Sequence, residues 1–302
     1  MIRTENISKT FSDVHAVSDL SLNVRDGEIY GFLGLNGAGK TTTIRMLLGM
    51  IKPSSGSAFI LGRKITTNDI ALLKRIGSLV EIPYAYPDLT IRENLELFRR
   101  LRFLPKSGTV ETIVAKLHLE PYVNRKAKNL SHGNKQRLGL AKALMHNPDI
   151  LILDEPTNGL DPAGIFEIRE MLVDLAQNHG VTIFISSHIL GEVSRFATRI
   201  GIIHHGRLVK EFDSGELKAL CKKRVLIDTA NNDRANEILV QSGYNPVKRR
   251  ELQLEVYDEK AISNPASIAQ MLVNENCPPV LLKVEEEDLE SYFLRTIGVH
   301  NE

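Results

Sequence analysis

Gly34-Leu35-Asn36-Gly37-Ala38-Gly39-Lys40-Thr41 decides the reading of this chain. It matches the pattern G-x-x-x-x-G-K-[ST], and its surroundings are the ones that pattern requires. Gly27-Glu28-Ile29-Tyr30-Gly31-Phe32-Leu33 precedes it as a turn and a buried strand, and Lys40 to Met50 follows as a helix that stops near Gly49 and Pro53. Glycines let the backbone curl so that successive N–H groups converge on phosphate oxygens, and the helix N-terminus adds partial positive charge. Lys40 supplies a full charge for the β- and γ-phosphates of a nucleotide, and the Thr41 hydroxyl can ligate Mg²⁺.

A second apolar run, Ile150-Leu151-Ile152-Leu153-Asp154-Glu155-Pro156, delivers two carboxylates at a strand end. Asp154 is placed to hold Mg²⁺ beside the phosphate loop, directly or through water. Glu155 points elsewhere and is free to accept a proton from an attacking water. Together the two segments predict a nucleotide and Mg²⁺ as the bound pair and nucleotide hydrolysis as the chemistry.

Working outward, short β-rich runs alternate with helices up to about Glu216, including a third apolar strand at Val181–Ser186, which predicts an α/β core with a largely parallel sheet. Between about 83 and 148 the strand signal disappears. Thr90-Ile91-Arg92-Glu93 is a capping box there, and helices are predicted through Leu101, over Val110–Leu119 and over Leu138–Met145. This is a helical subdomain inserted in a cassette spanning 1–216. Past it, Lys222-Lys223-Arg224 reads as a solvated linker rather than a nucleic-acid patch, because no aromatic residue interleaves it. Residues 217–302 are then predicted as strand Val225–Thr229, helix Ala235–Ser242, strands near Val247 and over Leu252–Tyr257, helix Pro265–Asn274, strand Val280–Val284 and helix Leu289–Ile297. That order suggests a small α+β domain of ferredoxin-like type.

Composition bounds the function classes. The 302 residues suit about two domains. With 38 Lys+Arg against 37 Asp+Glu, the net charge of +1 provides no field for binding nucleic acid by charge alone. No apolar run reaches the ~18 residues of a spanning helix. The first residues carry Glu5 and no apolar core, unlike a signal peptide. Cys221 and Cys277 are too few and too far apart for a disulfide framework or a CxxC site, and read as reduced thiols of a cytosolic protein.

Three further segments narrow the family. Leu130-Ser131-His132-Gly133-Asn134-Lys135-Gln136-Arg137 precedes a helix that Ser131 is suited to cap, Asn158-Gly159-Leu160-Asp161-Pro162 follows the Asp-Glu pair, and Ser186-Ser187-His188 ends the next strand. In this order they resemble the signature loop, D-loop and H-loop of ATP-binding cassette (ABC) ATPases, a resemblance that covers nearly all of residues 1–216. It implies that two cassettes pair head to tail, each ATP lying between the phosphate loop of one and the signature loop of the other.

Carried over by position, the resemblance implies a nucleotide-binding run of Asn36, Gly37, Ala38, Gly39, Lys40, Thr41 and Thr42, with Ser131 and Gly133 reaching the γ-phosphate of the opposite site. His188 contacts the γ-phosphate and orients the water. Asp161 couples the two sites, although Asp161-Pro162 also reads as a helix cap followed by proline in the first turn. Phe11 stacks on adenine, against the alternative that it belongs to the core.

Two departures stand out. The signature is Leu-Ser-His-Gly-Asn where Leu-Ser-Gly-Gly-Gln is the commonest form, and Glu81 stands where most cassettes carry the Q-loop glutamine. Glu81 can accept from a metal-bound water or bind the ion, so it joins Thr41 and Asp154 as a metal candidate and Glu155 and His188 as a catalytic one. Its charge strengthens metal attraction and raises repulsion toward the γ-phosphate. That glutamate resembles one branch, cassettes that export or confer immunity to bacitracin and lantibiotics, as do Tyr30–Gly34, Thr42–Gly49, Phe184–Leu190 and Asp288–Leu294. The resemblance implies a separate integral membrane permease as partner, a position on the cytoplasmic face of the membrane, and a contact for the permease's coupling helix at Tyr84, Tyr86 and Leu89. The alternatives are the ATPase of a sodium or other small-solute exporter and a cassette ATPase with no transport role.

Overall fold

The computed structural model describes residues 2–67, 69–81, 83–248 and 253–298. The chain divides into two compact units, Met1–Gly215 and Glu216–Glu302.

The strands of the first unit are β1 (Ile2–Phe11), β2 (Val14–Leu20), β3 (Asn23–Val24), β4 (Ile29–Leu33), β5 (Ser55–Ile60), β6 (Arg63–Lys64), β7 (Ile76–Leu79), β8 (Ile150–Asp154), β9 (Thr182–Ser187), β10 (Arg199–His204) and β11 (Arg207–Asp213). They form two sheets. One is antiparallel, in the order β2-β1-β5-β6 with β3 also paired to β1; the other runs β11-β10-β4-β9-β8-β7. In the second, β10, β4, β9, β8 and β7 are mutually parallel and only β11 is reversed, as the return arm of a hairpin. Every residue of β4, β8 and β9 is buried, which is why those strands read as continuous apolar runs. Phe184 stacks on Tyr30 at 5.6 Å and tilts against Phe32 at 5.2 Å, pinning β9 to β4.

Four helices belong to this core: α1 (Lys40–Leu47), α2 (Ile70–Leu73), α6 (Pro162–His179) and α7 (Leu190–Val193). Ile44, Met46 and Leu47 of α1 share one apolar cluster with Ile2, Ile7 and Val17 of the antiparallel sheet and with Ile150, Ile152 and Phe184 of the parallel one. Both sheets therefore grip the helix that follows the glycine-rich loop. That helix ends at Leu47, earlier than Met50, where Gly49 takes a left-handed φ of 66°.

Between β7 and β8 lie α3 (Ile91–Leu101), α4 (Thr109–Lys116) and α5 (His132–Leu144), with no strand among the described residues there. The capping box of α3 forms as expected, Thr90 accepting from the Glu93 amide and Glu93 from the Thr90 amide. The helical run expected over Leu138–Met145 is the later part of α5, which starts six residues earlier at His132, directly after the Ser131 cap that the sequence suggests. Gly133 and Asn134 are poor helix formers, but the Ser131 hydroxyl accepts from the Asn134 amide at 3.3 Å, and a cap worth about 1 kcal/mol offsets a large part of their cost.

The second unit comprises α8 (Leu217–Leu220), β12 (Lys223–Thr229), α9 (Asn232–Gln241), β13 (Val247–Lys248), β14 (Leu254–Val256), α10 (Glu259–Ser263), α11 (Pro265–Asn274), β15 (Pro279–Glu286) and α12 (Leu289–Thr296). Its sheet is antiparallel throughout, in the order β13-β14-β12-β15. Strand connection and strand order are those of a split β-α-β arrangement with a terminal helix. Val225, Ile227, Leu254 and Val256 form its core with Leu239, Ile268 and Leu272.

Two details differ from expectation in this unit: Asn231 caps α9 and starts it at Asn232 instead of Ala235, and α10 is an added turn. The expected strand start at Leu252 lies outside the described residues. The linker reading of Lys222-Lys223-Arg224 is also corrected. Lys223 and Arg224 open β12, where Arg224 sits between Glu255 at 3.1 Å and Glu285 at 2.9 Å.

Candidate active site

The site begins where β4 turns into α1. Gly37 and Gly39 adopt φ of 80° and 107°, conformations open to glycine, and a Cβ on Gly39 would lie 2.5 Å from the Ala16 carbonyl oxygen. Gly34 is equally confined, since a Cβ there would meet the Ile203 carbonyl at 2.6 Å. From the far side the β10–β11 turn braces the loop: the Gly206 amide donates to the Ala38 carbonyl at 2.9 Å, and the Gly206 carbonyl accepts from the Ser18 amide at 2.9 Å. No side chain caps α1. The first-turn amides of Lys40, Thr41 and Thr42 therefore lack an intrahelical partner and are available to an anion.

Lys40 is only 6% exposed and folds back over the loop. Its ammonium donates to the carbonyls of Gly34 at 2.6 Å and Leu35 at 3.3 Å, and pairs with Glu155 Oε1 at 3.3 Å. Asn36 is exposed at the loop's crest, and Gly37 faces open space.

Asp154 ends β8 and is 3% exposed. Its two oxygens have separate tasks: Oδ2 accepts from the Thr41 hydroxyl at 2.7 Å and Oδ1 from the Ser186 hydroxyl at 2.5 Å. Glu155 then turns the chain, with φ of 48°. Its amide donates to the Ser186 hydroxyl at 3.1 Å and its carbonyl accepts from Gln136 Nε2 at 3.1 Å. So held, the Glu155 carboxylate lies between Lys40 and His188, whose Nδ1 is 2.9 Å from Oε2. Lys40, Thr41, Asp154, Glu155 and His188 thus form one connected cluster.

Sequence reasoning passed over two members of that cluster's support, Ser186 and Gln136. Ser186 is the register partner of Asp154 on the neighbouring parallel strand. A polar residue at the C-terminal end of an apolar run, just before Ser187-His188, was the available signal.

The other predicted residues stand apart from the cluster in the contacts they make. Glu81 is exposed, takes φ of 56° and pairs with Arg45 Nη2 at 2.6 Å; it is not brought onto Thr41 or Asp154. Ser131 caps α5, and Gly133 follows in its first turn, its would-be Cβ 3.2 Å from the Gly159 carbonyl. The His132 ring covers Gly159 so closely that no Cβ fits there. Asp161 caps α6 by accepting from the Gly164 amide at 3.0 Å, with Pro162 in the first turn. Phe11, last in β1, is 46% exposed, which rules out the core reading; the Lys9 ammonium is 5.0 Å from its ring centroid.

A hydroxyl and a carboxylate oxygen 2.7 Å apart, Thr41 and Asp154, are hard oxygen donors that suit Mg²⁺, an ion that takes one or two protein ligands and completes its shell with water and phosphate oxygens. Among the described residues no group of three His, Cys, Asp or Glu side chains could cage a metal. The fit is thus to a nucleotide-bound ion rather than to a protein-held one.

Comparison with known proteins agrees with this geometry. The ABC transporter family model matches residues 17–158. The bacitracin transport ATP-binding protein BcrA of Bacillus licheniformis is 38% identical over 302 residues, covering 99% of this chain and 97% of that protein. The lantibiotic transport ATP-binding protein SrtF of Streptococcus pyogenes is 37% identical over 231 residues, 76% of this chain and 99% of that one. Among solved structures, a dimeric ATP-binding cassette in a post-hydrolysis state bound to ADP and Pi superposes with a TM-score of 0.65 at 28% identity, covering 71% of this chain and 99% of its own. A P-loop flanked by Asp154, Glu155 and His188, together with likeness along nearly the whole of both chains, establishes that this chain belongs to the ABC transporter family as an ATP-binding, ATP-hydrolysing cassette.

Proposed function

We propose that this cassette binds Mg-ATP as one of a pair and powers export of, or immunity to, a peptide antibiotic of the bacitracin or lantibiotic kind through a separate integral membrane subunit. The observation that carries the hydrolytic part is the Glu155 carboxylate held between Lys40 and His188 beside the Thr41–Asp154 pair. The substrate class rests on the relatives named for bacitracin and lantibiotic transport, the former matched over almost their whole length. No helix among the described residues is long and apolar enough to cross a membrane, so in this reading another subunit provides the path and the cassette sits at the cytoplasmic face.

Each side chain then has a task. The loop amides from Gly37 to Thr42 receive the phosphate oxygens, and Lys40 exchanges the Gly34 and Leu35 carbonyls and Glu155 for the β- and γ-phosphates. Losing Lys40 frees the Glu155 carboxylate to take a proton from the attacking water, while its bond to His188 fixes its orientation. Thr41 and Asp154 would hold Mg²⁺, which when bound offsets charge on the phosphate oxygens. Phe11 offers its exposed face to adenine. Ser131 and Gly133 serve the site of the facing cassette from the N-terminus of α5, and Asp161 couples the two sites. The exposed, edge-to-face Tyr84–Tyr86 pair, with Leu89, receives the membrane subunit.

Two experiments test this reading. Glu155→Gln should retain ATP binding and lower turnover by about 10²–10⁴-fold, the usual worth of a general base, and equal rates would remove Glu155 from that role. Cells expressing the cassette with its co-purifying membrane subunit should survive bacitracin or a lantibiotic better than cells carrying Glu155→Gln; equal survival refutes the substrate class. Alanine at Tyr84 and Tyr86 should abolish that protection while sparing ATP binding.

A further inference from the structure

The Q-loop glutamate poses an electrostatic problem: a carboxylate beside a triphosphate site repels the ligand that the site must bind. We propose that Arg45 is the built-in answer, a positioning residue that holds Glu81 on α1 and cancels its charge while ATP enters. The inference rests on the reading of the phosphate loop as the nucleotide site.

The placement follows from helix and strand registers. Arg45 and Thr41 are four residues apart on α1, so they lie on one stripe of that helix, one turn from each other. Leu79 of β7 is the register partner of Leu153 of β8, so the chain just past β7 runs beside Asp154. Two ties therefore run side by side from one face of α1 to adjacent strand ends: Thr41 to Asp154 at 2.7 Å, and Arg45 to Glu81 at 2.6 Å. The second holds a residue whose left-handed φ of 56° is uncommon for glutamate. Glutamine at position 81 would need no cation here. Glutamate does, and an arginine stands one turn along from the residue that faces the metal position. Because both partners are partly exposed, the pair contributes little to stability. Its effect lies in the field at the phosphates.

The test is a charge rescue in the full chain, measured as equilibrium binding of fluorescently labelled ATP and ADP, in EDTA and again with Mg²⁺. Removing Arg45 leaves a bare carboxylate, and Coulomb repulsion through water-like screening makes Arg45→Ala bind ATP about three- to tenfold more weakly in EDTA, with a smaller effect on ADP. Glu81→Gln alone leaves an unpaired cation and binds ATP more tightly than wild type. The double variant Arg45→Ala/Glu81→Gln returns to within about twofold of wild type, because both charges are gone. A double variant as weak as Arg45→Ala, or an Arg45→Ala that binds like wild type, overturns the proposal. Should Arg45→Ala fail to fold, Glu81→Gln decides alone, and unchanged ATP affinity is then the refuting result. Lys40→Ala tests the underlying reading separately: undiminished ATP binding there shows that the phosphate-loop assignment, not the role of Arg45, has failed.

Discussion

Replacing Ser186 by alanine removes one hydroxyl and exposes how the two carboxylates are kept apart. Ser186 is completely buried and Asp154 is 3% exposed, so water cannot take over the bond that Asp154 Oδ1 loses. A hydrogen bond to a buried charged acceptor is worth about 1.5–3 kcal/mol, and among the described residues Asp154 retains the Thr41 hydroxyl on its other oxygen. The second loss is smaller, because the Glu155 amide still has the Ser186 carbonyl as an acceptor at 3.3 Å. A net cost near 2 kcal/mol, in a unit of this size, lowers the melting temperature by roughly 4–8 °C. Thermal unfolding of the full chain followed by circular dichroism reads this directly. Asp154→Asn in the same background should recover part of the loss, since an amide leaves no buried charge unpaired. A Ser186→Ala melt within about 1 °C of wild type would show that the 2.5 Å contact does not stabilise the strand end, and the reasoning would fail.

Other outcomes follow from the same geometry. Gly39→Ala should abolish ATP binding, because its Cβ collides with the Ala16 carbonyl, whereas Gly37→Ala faces open space and costs only about 1–2 kcal/mol of backbone strain; equal effects in a binding titration would refute the distinction. His146 donates from Nε2 to the Ile76 carbonyl, and burial, with Arg102 nearby, holds its imidazole below the ordinary value of 6.5. The unfolded chain therefore binds that proton more readily, so the contribution of neutral His146 is present above pH 6.5 and is lost as the pH falls below it. His146→Gln should flatten the drop in melting temperature between about pH 7.5 and 5.5, and parallel curves would exclude the effect. Asp161→Ala removes the cap of α6 and should cost about 1 kcal/mol, visible as a lowered melting temperature of the isolated chain even without nucleotide.

What the sequence made legible was local chemistry. The loop from Gly34 to Thr41, the Thr90–Glu93 box and the Asp161 cap are each written in a few adjacent residues, and each takes the geometry its residue types require. The helical run expected from Leu138 marks only where the apolar periodicity begins; the Ser131 cap, also legible in the sequence, sets the start of α5 at His132. Longer-range facts left weaker traces. Ser186 meets Asp154 across 32 positions, and Arg45 meets Glu81 across 36; neither pairing follows from a motif. Lys222-Lys223-Arg224 looked like a linker because its counter-charges, Glu255 and Glu285, come from strands much later in the chain.

The hairpin tip at His205-Gly206 has a practical consequence. By length and composition it resembles a surface turn where an epitope or a fluorescent label could be spliced in, and His205 is indeed exposed. Yet Gly206 is bonded on one side to Ala38 and on the other to Ser18, so the turn works as a clasp at the back of the ATP loop. An insertion there would loosen the nucleotide cradle from behind, through the carbonyl of Ala38, while leaving Lys40, Thr41, Asp154 and Glu155 unaltered in sequence. The turn at Gly62, where a new Cβ would meet nothing, is the safer place for a handle.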